Sequence, residues 1–168
     1  VSYWNYGFGF FVFYNDLLRQ FSNGKYNYFK DPHVKNIALF NQKVFMQNNV
    51  TISFSDGNEH STYNIGLLSF LKSIYPEIKL PPKKYARVNS GNSDWFYISR
   101  SFAYYDEKYF TEIKSNEEAY FLPNAEWLIK ASPRLAFAAK GGNNGEPHNH
   151  NDVGEFIIAA GDKQELCD

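Results

Sequence analysis

At 168 residues, 43% hydrophobic and 19% aromatic, the chain is long enough to bury a real core and is close to the size of one ordinary globular domain. Its formal net charge of -1 excludes a global field that would draw in DNA, an anionic membrane or a highly sulfated polymer, so any polyanion must be held locally. Lys83, Lys84 and Arg87, or Lys130, Arg134 and Lys140, are the local basic candidates, although scattered solvated charge is the better account of both groups. Cys167 is the only cysteine, which rules out an intrachain disulfide.

From Tyr6 to Phe21 the residues Phe10, Phe13, Tyr14, Leu17, Leu18 and Phe21 recur at helical spacing, and Asn23-Gly24 supplies a left-handed stop. The apolar stretch Phe8 to Phe13 is too short to span a bilayer and is followed by Asn15, Asp16 and Arg19. Extra aromatics make this helix apolar on most sides, so it expects neighbours on several faces. Asp31-Pro32 reads as an N-cap followed by proline at the first helical position, opening a second helix through Val34, Ile37, Ala38, Val44 and Phe45. A short strand from Val50 to Phe54 turns at Asp56-Gly57. Asn49-Val50-Thr51 matches a glycosylation acceptor, a short and frequent pattern that carries little weight on a predicted strand.

Ser61 or Thr62 is the expected cap of a third helix through Ile65, Leu68, Leu71 and Ile74, ending before Pro76. Leu80-Pro81-Pro82 is a connector, and Ser93 is the expected cap of a fourth helix through Trp95, Phe96, Ile98, Phe102 and Tyr105. After about Thr111 the period changes. Short runs at Ala119 to Leu122, Glu126 to Ala131, Leu135 to Lys140, Gly154 to Ala160 and Gln164 to Cys167 read as antiparallel strands joined by polar turns. Helices first and strands later predict an α+β fold, with a helical part at 1–110 and a β part at 111–168.

The chemistry concentrates in Gly141-Gly142-Asn143-Asn144-Gly145-Glu146-Pro147-His148-Asn149-His150-Asn151-Asp152, which holds two of the four histidines. Imidazole titrates near neutrality and ligates metals, so this pair points to proton transfer, metal binding or one of each. On an extended backbone both rings would share one face, roughly 7 Å apart. Asp168, after the next two predicted strands, is a plausible oxygen ligand beside His150. At the other end, Ser2-Tyr3-Trp4-Asn5-Tyr6-Gly7-Phe8-Gly9 sets two tyrosines and an amide before a helix. A phenol is a poor base at its reference pKa near 10, and a cationic or hydrogen-bonding neighbour is needed to bring it into use.

Taken together, Ala139-Lys140-Gly141-Gly142, then Glu146-Pro147-His148-Asn149-His150-Asn151-Asp152-Val153-Gly154, then a strand and turn leading to Leu166-Cys167-Asp168, resemble the heparinase II/III-like polysaccharide lyases. Tyr3-Trp4-Asn5-Tyr6-Gly7 resembles the aromatic segment of that family. The resemblance implies the last helices of an (α/α) toroid followed by the first strands of an antiparallel β-sandwich, and cleavage of a uronic-acid-containing polysaccharide by β-elimination. It implies Tyr6 and His148 as the catalytic pair and His150 and Asp168 as ligands of a structural zinc, with Asp152 orienting the motif. Tyr3, Trp4, Asn5, Glu146 and Asn149 are the implied sugar contacts. A carboxylate-neutralising residue and a third zinc ligand belong to parts of the family pattern missing from this sequence. The chain is therefore expected to be an excerpt across the junction, incomplete as a catalyst alone. A periplasmic or secreted location follows from the resemblance only.

Two rivals stand beside this reading. A metal-dependent β-barrel enzyme using His148 and His150 would need a third ligand, and His33 and His60, the other histidines, sit in capping or turn-like surroundings that favour plain surface residues. A carbohydrate-binding protein without catalysis would stack sugars on Trp4, Trp95 and Trp127, yet each lies in an apolar run that predicts a core position.

Overall fold

The computed structural model describes residues 2–88, 95–110, 117–145, 148 and 150–166. Four α-helices and three sheets are present among them, an α+β fold. The chain divides into two compact units: residues 1–42 with 62–113, and residues 43–61 with 114–168. Residues 43–61 therefore belong with the strands that follow much later in the chain, although in sequence they lie between the second and third helices.

In the first unit a π-helical turn, Trp4–Phe8, runs into α1, Gly9–Phe21. Asn23 and Gly24 both take positive φ, and the Gly24 amide closes the helix on the Arg19 carbonyl. α2, Pro32–Val44, opens at Asp31, whose carboxylate accepts from the His33 amide at 2.8 Å. α3, Ile65–Ile74, is capped by Asn64 rather than by Ser61 or Thr62: the Asn64 side-chain oxygen accepts from the Leu67 amide at 2.8 Å. The reason is that β3, Tyr63–Asn64, pairs in parallel with β4, Ala86–Arg87, which holds the chain extended up to the residue before the helix.

α4 spans Trp95–Tyr104, and Ser93, its expected cap, lies outside the described residues. α3 and α4 approach through Gly66, where a Cβ would fall 2.4 Å from the Ser101 Cα. No side chain larger than hydrogen fits there. Leu67, Leu68, Leu71, Val12, Phe13, Tyr63 and Tyr97 form the buried centre of this unit, whereas Trp95 and Phe102 stand exposed, so the core position expected for Trp95 is not what the fold gives it.

The second unit is a five-stranded antiparallel meander: β5, Glu118–Leu122; β6, Trp127–Ala131; β7, Leu135–Lys140; β8, Phe156–Ala160; β9, Lys163–Leu166. Ile129, Ala136, Ala138, Lys140, Ile157 and Ala159 are buried on one face. Alternation along β7 and β8 puts Leu135 and Phe156 on the other, where both are exposed. The alanines on the buried face leave room for a cover from residues 43–61.

That cover begins where α2 ends. Phe45, expected in the helix, instead starts β1, Phe45–Gln47, which pairs with β2, Val50–Thr51. Asn48 and Asn49 turn the hairpin with φ of 44° and 73°. Two positive φ values at the centre of a two-residue loop match the strand twist, and Asn tolerates that conformation better than other residues with a Cβ. Gln47 donates to the Ala159 carbonyl at 3.2 Å, Asn48 to that of Gly161 at 2.9 Å, and Ser53 to the Gln164 side chain at 2.7 Å. Phe54 meets the Trp127 ring edge-on at 5.3 Å.

Candidate functional site

The histidine-rich segment connects β7 to β8. Its base is a pair of backbone bonds, Gly154 amide to Lys140 carbonyl at 2.8 Å and Lys140 amide to Glu155 carbonyl at 3.0 Å. Lys140 was a candidate for a basic surface. It is instead buried, with its ammonium 2.5 Å from Asp152 Oδ1 and both side chains no more than 1% exposed. A charge so far from water persists only when paired and hydrogen-bonded, and here each partner has further bonds. Asp152 Oδ2 accepts from the Ser55 amide at 2.9 Å and its hydroxyl at 3.2 Å, and the Lys140 ammonium donates to the same hydroxyl at 3.2 Å.

This network fixes Ser55, and Ser55 fixes its neighbour Asp56. Gly57 completes the bend: a Cβ there would lie 2.8 Å from the Ser53 backbone, and its amide donates to the Phe54 carbonyl at 3.1 Å. Asp56 thereby meets both histidines. Its Oδ2 is 2.7 Å from His148 Nδ1 and its Oδ1 is 2.8 Å from His150 Nε2. All three side chains are about half exposed, at 47%, 56% and 50% for Asp56, His148 and His150. The bond from His150 comes first among the causes that hold the Asp56 carboxyl below its usual range; partial burial opposes it and the bond from His148 adds to it. For Asp152, burial alone would raise the carboxyl, but bonds from Lys140, its own backbone and the Ser55 amide carry it below the usual range.

Three residues without glycine's freedom take left-handed backbone here: Ser55 at φ 56°, His148 at 60° and Asn151 at 62°. Such conformations cost of order 1 kcal/mol or more each and persist where the surroundings over-determine them. Asp56 had no local signal beyond Asp56-Gly57 as a turn, because its contact with His150 spans 94 residues.

Asp152 is tied through its bonds with Ser55 to the turn that carries Asp56. Glu146, Asn149 and Asp168 lie outside the described residues. His33 and His60 are exposed, and the His60 Nδ1 sits 3.3 Å from the Asn49 carbonyl. Among the described residues there is no group of three or more His, Cys, Asp or Glu side chains disposed to hold a metal ion. His150 does meet one requirement of a ligating imidazole, since one ring nitrogen rests on a carboxylate and the other would be the ligating atom.

In the first unit the tyrosine-rich segment divides. Trp4 is buried and its indole donates to the Ile37 carbonyl at 2.7 Å. Asn5 is also buried, donating to the Thr62 carbonyl at 2.8 Å and accepting from the Asn64 amide at 3.3 Å. Both are engaged in packing this unit. Tyr3 and Tyr6 are exposed, and the Tyr6 ring stands edge-on to Phe10 at 5.1 Å. The Tyr97 hydroxyl donates to the Asn5 and Tyr6 carbonyls at 3.2 and 3.0 Å, anchoring the π-helical turn that carries Tyr6. Single π turns recur at functional positions because they re-aim side chains within a helix.

No protein-family model matches the chain, and no curated protein matches it. No helix among the described residues is long and apolar enough to cross a membrane.

Proposed function

We propose that the protein is a polysaccharide lyase that cleaves a uronic-acid-containing glycan by β-elimination, with Tyr6 and His148 handling the protons. The observation that carries the reading is the exposed imidazole pair on the Asp56 carboxylate, set within the very motif that resembles the heparinase II/III-like lyases and backed by the buried Lys140–Asp152 pair. The hydrogen on C5 of a uronate is hardly acidic while its carboxylate is charged. Elimination therefore requires that carboxylate to be neutralised, the C5 hydrogen removed and the departing O4 protonated. An imidazole held at one nitrogen by a carboxylate is suited to take or give a proton at the other. An exposed phenol such as Tyr6 suits the partner role, as base, acid or both according to which face carries the hydrogen.

The same reading takes the helices as the end of an (α/α) toroid and the meander as the first layer of an antiparallel β-sandwich. Support comes from exposed apolar side chains on one face of the sheet, Phe121, Leu128, Leu135 and Phe156, and along α1, Tyr14, Leu17 and Phe21. A second layer would cover such faces. Zinc on His150 and Asp168 belongs to the proposal as a structural tie that steadies the segment, and a periplasmic or secreted location belongs to it as well.

The test is to incubate the full-length protein with a panel of uronate polymers and follow ultraviolet absorbance from the unsaturated sugar end. Cleavage with that chromophore is the expected result, abolished by Tyr6→Phe and by His148→Ala with the fold retained. New reducing ends without the chromophore would replace the lyase by a hydrolase, and binding without turnover would make it a carbohydrate-binding protein.

A further inference from the structure

We propose that Asp56 is the positioning residue of this site and that it imposes opposite tautomers on the two histidines. An ionised carboxylate only accepts hydrogen bonds, so each ring nitrogen that faces it must carry a hydrogen. His148 meets Asp56 Oδ2 through Nδ1 at 2.7 Å, and His150 meets Oδ1 through Nε2 at 2.8 Å. In their neutral forms His148 then carries its lone pair at Nε2 and His150 carries its own at Nδ1. One carboxylate bridging two rings fixes both at once.

The loop that carries Asp56 is built to hold it still. Ser55 is fixed by three bonds from Asp152 and Lys140, both buried, and Gly57 bends the chain where no Cβ fits. The consequence for His148 is chemical: with Nδ1 held by Asp56, that nitrogen is withdrawn from proton exchange with a ligand. The consequence for His150 is that any metal it binds must take Nδ1 or displace Asp56.

The kinetic part of this inference rests on the lyase reading; the tautomer part stands without it. The experiment is a long-range proton–nitrogen spectrum of the full-length protein with labelled histidine, at about pH 8, above the ordinary imidazole pKa near 6.5. This chain contributes four histidines to that spectrum. His148 is expected to hold its hydrogen on Nδ1 and His150 on Nε2, with His33 as the exposed reference. Asp56→Ala, which removes the acceptor that a carboxamide would keep, should return His148 to the pattern of His33 while the amide spectrum of the sheet is retained. If that variant fails to fold, Asp56→Ser, compatible with a turn and unable to bridge two rings, serves in its place. Wild-type His148 that already matches His33, or a His148 pattern unchanged in a folded variant, overturns the assignment. On a polymer that the wild type cleaves, Asp56→Ala should lower kcat by roughly tenfold to a hundredfold, the range for residues that orient a functional imidazole, with KM little changed. A raised KM with kcat intact would make Asp56 a binding residue and overturn the positioning role. Wild type that cleaves no uronate polymer sinks the lyase reading and leaves the spectra to decide on Asp56.

Discussion

The tyrosine-rich segment of the first unit and the histidine-rich loop of the second are equally conspicuous as strings of residues, but the fold treats them differently. In the first, Trp4 and Asn5 turn inward and their polar atoms bond backbone carbonyls and amides of the same unit, leaving Tyr3 and Tyr6 as the exposed members. In the second, the polar groups form two levels. A buried ion pair, Lys140 with Asp152, lies beneath an exposed trio, Asp56, His148 and His150, and Ser55 joins the levels. Side chains that satisfy the backbone are part of the scaffold; side chains held by other side chains at the surface remain able to act.

The comparison breaks most forcefully at Lys140. Lys140→Met would leave the Asp152 carboxylate buried without its partner and should cost about 3–5 kcal/mol, read from the denaturant midpoint. A loss under 1 kcal/mol would mean that the lower level is dispensable. Asn5→Ala in the first unit removes one donor and one acceptor from backbone groups and should cost about 1–3 kcal/mol with little change in the histidine resonances. If those resonances move, the two segments are not the separate devices contrasted above.

Acid and alkali should separate the units further. Tyr104 in the first unit is pushed up to about 12, by burial first and by its bond to Asp16 next. Its contribution to stability is complete below the ordinary phenol value of 10.0 and is lost as pH rises through about 12. Asp152 in the second unit has the opposite sign. Its contribution is complete above the ordinary 3.8 and is lost as pH falls through its depressed folded value. Denaturant midpoints across the pH range check both: Tyr104→Phe should flatten the alkaline limb and Asp152→Asn the acid limb. The smallest effect belongs to the hairpin. Asn49 has φ of 73° and a buried side-chain oxygen with no hydrogen-bond partner, so Asn49→Gly should stabilise by about 0.5–1 kcal/mol in the same assay.

Much of the architecture is legible in residue periodicity. The helical repeat of α1, the Asp31-Pro32 start of α2 and the alternating run of β7 are written locally, and each element is found within a few residues of where its pattern predicts it. What periodicity cannot write is a partner. β1 is three residues long, too short for any period, and exists because β2 pairs with it. Asn64 becomes the cap of α3 because β4 holds the preceding chain extended. The histidines announce themselves by type and spacing, whereas Asp56 is one acidic turn residue among many until the fold brings it to them. Lys140 is hidden for a related reason: a lysine closing a strand reads as solvated, and only the fold buries it against Asp152.

The hairpin and loop at 43–61 have a consequence for biosynthesis. They leave the ribosome with no strand to lie on, since the sheet they cover is encoded far downstream. His150 follows Asp56 by 94 residues, so at roughly 5–20 residues per second the aspartate waits about 5–19 s for its ligand to be made. During that interval Met46, Val50, Ile52 and Phe54, all buried in the finished protein, are open to chaperones or to other nascent chains. Cellular yield should therefore respond to translation speed through the codons for residues 114–168.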